Sequence, residues 1–297
     1  PWSMIDKITP RPDASVKKML EDCGFTDTES IVTTKNTYVA PFVNAEEAQY
    51  LVIENAFPNG RPALENAGVM FTSRETVEKV ERMKVCTCLN PLHTALAVYG
   101  CLLGYTKISD EMKDADLVKL VEIIGYKEGL PVVTDPGILS PKKFIDEVLQ
   151  IRVPNPFMPD TPQRIACDTS QKLSIRFGET IKEYMASSEL DVKSLKFIPM
   201  VQAGWCRYLL GVDDELNAFT VSPDPVYEEL AGKLAGVKVG ESCDVHAVLS
   251  PILSDAKIFG VNLYEAGLGE YVESIFAELI AGKGAVRETL KKHLAEA

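Results

Sequence analysis

Asn90-Pro91, followed by an almost wholly apolar stretch from Leu92 to Leu103, constrains this chain more than any other feature. Asn is a good helix N-cap, and Pro is preferred at the first helical position. The run therefore predicts a helix buried on all sides. Such a helix needs a large body around it, and 297 residues, a length typical of about two domains, can supply one. The run falls short of the roughly 20 residues of a membrane span, so no membrane association is expected. The surface is acidic: 31 Lys+Arg against 43 Asp+Glu give a net charge of -12. That charge repels phosphate backbones and speaks against a nucleic-acid partner. The seven cysteines are scattered and odd in number, which suits a reducing, cytoplasmic location rather than a disulfide framework.

The texture changes near residue 73. Before it lie β-rich runs at Ser30–Thr34, Thr37–Val43 and Tyr50–Ile53, punctuated by turn formers such as Pro58-Asn59-Gly60. Pro10-Arg11-Pro12 is expected to be extended. After Ser73, itself an N-cap candidate with Glu75 and Glu78 behind it, the pattern is helical. Further helices are expected at Asp110–Ile124, Pro141–Arg152, Leu173–Ser187, Pro225–Leu234 and Leu268–Leu294, the last with a break at Gly282/Gly284. The fold class is thus mainly α, with a β-containing segment over 1–74 and a multi-helical body over 75–297. The chain opens at Pro1-Trp2-Ser3-Met4-Ile5 with neither an initiator Met nor the pattern of a signal peptide, and it reads as a chain entered partway through.

No Gly-x-Gly-x-x-Gly, Walker-type loop or Gly-x-Ser-x-Gly elbow occurs. Cys86-Thr87-Cys88 lacks a second ligand pair at zinc spacing, so no metal is expected. Two polar clusters stand out. In the first, Glu81, Lys84, Asn90 and His93 lead into the apolar helix, with Asn90 and His93 on neighbouring positions of one face. Polar groups entering such a stretch are costly unless they pair or work. Two readings compete: a working site, or a capping Asn90, a core-bonded His93 and a solvated Glu81–Lys84 ion pair. In the second cluster, Arg164 to Lys172 follows a Pro-rich loop. Its cations could hold a polyhydroxy or carboxylate ligand; alternatively Arg164 pairs with Asp168 and Lys172 is solvated.

These residues carry a resemblance. Pro1-Trp2-Ser3-Met4-Ile5-Asp6-Lys7-Ile8-Thr9-Pro10, Val52-Ile53-Glu54-Asn55-Ala56-Phe57 with Gly60-Arg61-Pro62-Ala63-Leu64-Glu65, the Lys84/Asn90/His93 set, and Arg164-Ile165-Ala166 through Lys172 resemble blocks of the long-chain polyol dehydrogenases, the mannitol dehydrogenase and hexuronate reductase family. One departure is visible. The family pattern has four residues between Lys and Asn, and here five lie between Lys84 and Asn90. One extra residue in a continuous helix rotates Lys84 by about 100° relative to Asn90. Either a π-bulge or a break before Pro91 absorbs it, or the lysine sits differently.

The resemblance implies metal-independent hydride transfer between NAD, with NADP as the alternative, and a secondary alcohol or ketone of a sugar. It implies Lys84 as general acid/base, a role that asks for an amine whose charge is disfavoured by burial and by neighbouring cations. Asn90 and His93 would donate to the substrate oxygen. Arg164 and Lys172 would grip distal groups, Glu81 would relay protons, and Asp6 would lie beside the cofactor. Residues 1–74 would be the tail of a Rossmann-type cofactor domain whose glycine-rich part is absent from this chain. Arg176 or Arg207 would add to the cations, which favours fructuronate/D-mannonate over mannitol/fructose as substrate. A different class stays open: an isolated helical binding or interaction domain without catalysis of its own.

Overall fold

A computed structural model describes residues 1–5, 7–8, 14–29, 31–32, 38–39, 44–45, 50–156, 158 and 160–297. They form two compact units, Pro1–Glu78 and Lys79–Ala297. The division falls inside the helix Arg74–Met83, a few residues beyond the expected 74. Asp6 and Pro10-Arg11-Pro12 lie outside the described residues.

In the first unit the apolar run at Tyr50–Ile53 becomes the strand Leu51–Glu54, at the centre of a three-stranded sheet. Ser3–Ile5 pairs with it antiparallel, Ser3 opposite Ile53, and Met70–Thr72 pairs parallel, Val52 opposite Met70. A central strand is covered on both edges, and Val52 is fully buried. Ile31–Val32 and Tyr38–Val39 form a two-stranded antiparallel ribbon, in line with the β-rich runs there. The helix Ala14–Asp22 was not expected from the sequence.

Ser73 caps as expected: its Oγ accepts from Thr76 N at 3.2 Å. The helix Arg74–Met83 then passes into a π-turn, Lys84–Cys88, whose wider ring is closed by Leu89 N donating to Lys84 O at 3.1 Å. Leu89 bends the backbone (φ -132°, ψ -60°), and the core helix Asn90–Leu102 follows. Together these make a helical run of 29 residues, apolar enough by composition to cross a membrane, but 89% of its most apolar window is buried inside the protein. It is a core helix, and every residue from Pro91 to Leu102 is buried.

One of its packing partners was not read from the sequence. The helix Phe197–Tyr208 is buried along its whole length. Its first turn carries no side-chain cap of its own. The cap comes from afar: Glu128 Oε1 accepts from Lys196 N (2.6 Å) and Phe197 N (2.8 Å), and Oε2 from Ile198 N (2.7 Å). Those bonds satisfy the orphan amides every helix start carries. The two core helices approach closely at Gly204, where an added Cβ would sit 3.1 Å from the Tyr99 ring, and Tyr99 Oη donates to Met200 O at 3.1 Å.

The remaining expected helices exist with altered ends. Asp110–Ile124 is interrupted after the short helix Ile108–Glu111, because Asp114 caps a new one, Ala115–Glu122, by accepting from Asp116 N at 3.0 Å. Pro141–Glu147 ends in the π-turn Val148–Arg152, and Glu179–Ala186 begins after the π-turn Ser174–Gly178. The C-terminal pair, Gly269–Leu279 and Ala285–Ala295, breaks at Gly282 and Gly284 as expected, with Gly284 at φ +79°.

Candidate active site

The Lys84–Cys88 π-turn answers the spacing question. A π-turn holds one more residue than an α-turn, so it absorbs the extra position between Lys84 and Asn90 without rotating the flanking helices apart. The same turn changes the role of Asn90. An isolated helix start would use the Asn90 side chain to cap an amide such as His93 N, but here the chain arrives already helical and His93 N donates to Leu89 O at 3.0 Å. The Asn90 side chain caps nothing and makes no hydrogen bond among the described residues. A half-buried amide is thereby left available to a ligand.

The π-turn is braced from the side. Arg82 pairs with Glu179 (2.8 Å) and Glu183 (3.2 Å), and Thr180 Oγ1 donates to Cys86 O at 3.4 Å. These contacts hold Lys84–Cys88 against the segment that runs from the second π-turn, Ser174–Gly178, into the helix Glu179–Ala186. Glu81 stands one turn ahead of Lys84 and is half-buried.

His93 is 8% exposed and borders a small recess, together with Ile108, Ser109, Arg152, Met158 and Asp160. Burial, with Arg152, Arg176 and Arg164 nearby, pushes its pKa down to about 3 against the opposing pull of Asp160. The imidazole is therefore neutral at physiological pH and able to donate one hydrogen bond. Beside it, Thr94 Oγ1 donates to Asn90 O at 2.9 Å and accepts from Arg176 Nη1 at 2.6 Å. Asn90, His93 and Thr94 sit at i, i+3 and i+4, on one helix face. Ser109 belongs to the short helix Ile108–Glu111, whose Glu111 is fully buried against Gly100.

The second cluster joins this group by a different pairing from the one the sequence suggested. Arg164 pairs with Asp160, one turn earlier, not with Asp168. Asp168 adopts a left-handed backbone (φ +52°), and its N–H donates to Pro223 O at 2.8 Å. Lys172 is not solvated: its Nζ donates to Ile165 O (3.3 Å) and to Cys167 O, closing the C-terminal end of the turn Pro162–Ile165. Burial, then Arg176, moves Lys172 down to about 8.

Arg164, Arg176 and Lys172 thus lie around the core-helix face that carries Asn90 and His93, and Lys84 stands at the start of the π-turn that leads into that helix. Sequence reasoning missed Thr94, Arg152, Ser109 and Asp160. The i, i+4 spacing of Asp160 and Arg164, and of Asn90 and Thr94, was the available signal. Arg207 is corrected. Fully buried, it donates to Leu279 O (3.2 Å), Val212 O (2.6 Å) and Asp213 O (3.2 Å), so it ties three loop and helix ends together and lies outside this site.

Among the described residues no group of three or more His, Cys, Asp or Glu could hold a metal ion. Burial raises the Cys86 and Cys88 thiols to about 11 and about 12, which keeps them protonated. The described residues do not fit a dinucleotide cradle either. The crossover between the parallel strands Leu51–Glu54 and Met70–Thr72 holds only the 3-10 turn Leu64–Ala67, with no glycine-rich turn opening a helix toward a pyrophosphate.

Comparison with known proteins identifies the family. The family model for the mannitol dehydrogenase C-terminal domain matches residues 76–276. A D-mannonate oxidoreductase of Thermotoga maritima is 60% identical over 296 residues, covering 98% of this chain and 54% of that protein. A mannitol 2-dehydrogenase of Aspergillus niger is 31% identical over 268 residues, covering 87% and 50%. The solved Pseudomonas fluorescens mannitol 2-dehydrogenase, a ternary complex with NAD and D-mannitol, superposes with a TM-score of 0.73 at 25% identity, covering 99% of this chain and 54% of that one. The chain spans about half the length of the relatives it matches. With the family model matching most of the chain, and a helical body built as that domain is, the chain belongs to the mannitol dehydrogenase family.

Proposed function

We propose that this chain forms the substrate-binding and proton-transfer half of an oxidoreductase that interconverts a secondary alcohol and a ketone on a sugar acid, D-mannonate and fructuronate being the pair that fits best. The observation that carries the reading is a buried, neutral His93 beside the unspent Asn90 amide, inside a rim of Arg152, Arg164, Lys172 and Arg176. Uncharged, fixed donors suit an oxygen that becomes an alkoxide as the hydride leaves, because they need no reorganisation when the charge develops. The rim suits a substrate that brings its own negative charge.

In this reading Asn90 and His93 donate to the reacting oxygen. Lys84 takes the alcohol proton in oxidation and returns it in reduction, and Glu81, one turn away, exchanges protons between Lys84 and water. Arg164 and Lys172 orient the distal end of the substrate. The hydride partner is NAD, bound by the complete protein. Residues 1–74 are the last portion of its dinucleotide-binding domain, and the described residues are given no part in holding the pyrophosphate. The similarity to a D-mannonate oxidoreductase supports the substrate class, and the NAD complex of the Pseudomonas enzyme supports the cofactor.

The test is Lys84→Ala in the full-length protein, assayed for fructuronate reduction with NADH. The expected loss is at least about 100-fold in kcat, the scale of a general acid/base contribution. A loss smaller than about tenfold removes Lys84 from the proton-transfer role. Equal turnover of fructose and fructuronate by the wild type removes the sugar-acid assignment.

A further inference from the structure

Arg176 lies on the π-turn Ser174–Gly178 and reaches the core helix, where its Nη1 donates to Thr94 Oγ1 at 2.6 Å. Thr94 directly follows His93 and donates to the Asn90 carbonyl at 2.9 Å. The guanidinium is therefore held against the helix face that presents both proposed oxygen-binding donors. Among the described residues no carboxylate lies within ion-pairing distance of it, and burial alone moves its pKa, down to about 10. It stays charged at neutral pH.

The other cations considered are differently placed. Arg164 is neutralised by Asp160 and more than half exposed. Lys172 is engaged by two backbone carbonyls. Arg207 is held by three. A cation taken out of water without a counter-ion is costly, and the cost falls when an anion enters. The hydroxyl dipoles of a neutral hexitol cannot return a full charge. A carboxylate can, and it matches the planar guanidinium fork in two parallel hydrogen bonds.

We propose that Arg176 is the specificity-determining residue that receives the substrate's carboxylate, so that the site selects sugar acids over uncharged sugar alcohols of the same skeleton. This rests on the oxidoreductase reading above. Thr94 fixes the guanidinium through one nitrogen and leaves the rest of the fork for the ligand. A lysine at this position would keep the charge and lose the fork.

D-Mannonate and D-mannitol share the hexitol skeleton and differ at C1, carboxylate against hydroxymethyl, so they isolate the charge. The experiment uses the full-length protein with NAD, taking KM and kcat for D-mannonate and the inhibition constant of D-mannitol. It compares wild type, Arg176→Gln and Arg176→Lys. In Arg176→Gln the KM for D-mannonate is expected to rise at least about 30-fold, with kcat and the D-mannitol constant within about threefold of wild type. Arg176→Lys should recover part of the KM. Equal weakening of both ligands would mean that Arg176 only props the core helix through Thr94, and would overturn the assignment. An unchanged KM would overturn it as well, by giving the carboxylate to another cation. Failure of the wild type to oxidise D-mannonate would instead sink the oxidoreductase reading, and the inference with it, before any variant is compared.

Discussion

Lowering the pH from 7.5 to 5.0 should cost this protein about 2 kcal/mol of stability through His93 alone. The side chain is 8% exposed and its pKa is pushed below the ordinary value by burial first and by Arg152, Arg176 and Arg164 after it. A base whose folded pKa lies below its unfolded one binds fewer protons folded than unfolded. Its stabilising share is therefore complete above the unfolded value of roughly 6.5 and declines as the pH falls from there toward the folded value. At pH 5.0 the unfolded state gains RT ln(1 + 10^1.5), which is about 2 kcal/mol, and at pH 7.5 it gains almost nothing. Urea unfolding of wild type and His93→Gln at the two pH values isolates the difference. Fluorescence of the fully buried Trp205 reports on the helical unit, whereas Trp2 is 44% exposed. In parallel, the His93 ring proton, assigned by its loss in the variant, should not titrate between pH 5 and 8 in NMR spectra. A His93 midpoint above pH 5.5, or a variant that loses as much stability as wild type on acidification, would refute both the neutrality and the donor role built on it.

Two further outcomes follow from particular contacts. Glu128→Ala strips three amides at the start of Phe197–Tyr208 of their acceptor and should lower stability by about 3–5 kcal/mol in thermal unfolding, with Glu128→Gln losing less because one oxygen remains. A change under about 1 kcal/mol would show that water replaces the cap. Arg207→Met should destabilise by a similar amount, about 3–5 kcal/mol, through three orphaned carbonyls, yet leave the KM of the surviving folded protein at the wild-type value; a raised KM would return Arg207 to the site.

The core helix was legible because its signals are local: Asn-Pro at the start and apolar residues on every face. The Ser73 cap and the break at Gly282/Gly284 were legible for the same reason. The helix Phe197–Tyr208 was not, since its first turn is capped by Glu128, far away in sequence, and its opening Phe197-Ile198-Pro199 looks unlike a helix start. The pairing of Arg164 was misjudged because Asp160 and Asp168 are equally spaced from it on either side. Only the left-handed turn at Asp168, whose N–H is drawn to Pro223, decides between them.

The composition and the buried helix by themselves determined a mainly helical body with a polar cluster at the mouth of its central helix, because burial and helix propensity are read residue by residue. The blocks around Lys84 and Arg164 added the family. Tertiary structure alone decided which polar groups remain available for chemistry. The helical backbone running into Asn90 lets Leu89 O satisfy His93 N, which Asn90 would otherwise have capped, and the π-turn absorbs the extra residue after Lys84. Asp160 neutralises Arg164, and backbone carbonyls occupy Arg207 and Lys172, while Arg176 is left facing Thr94 without a carboxylate partner among the described residues. Those outcomes depend on partners brought together from distant parts of the chain, and the free energy of a buried charge is set by such partners rather than by its neighbours in sequence.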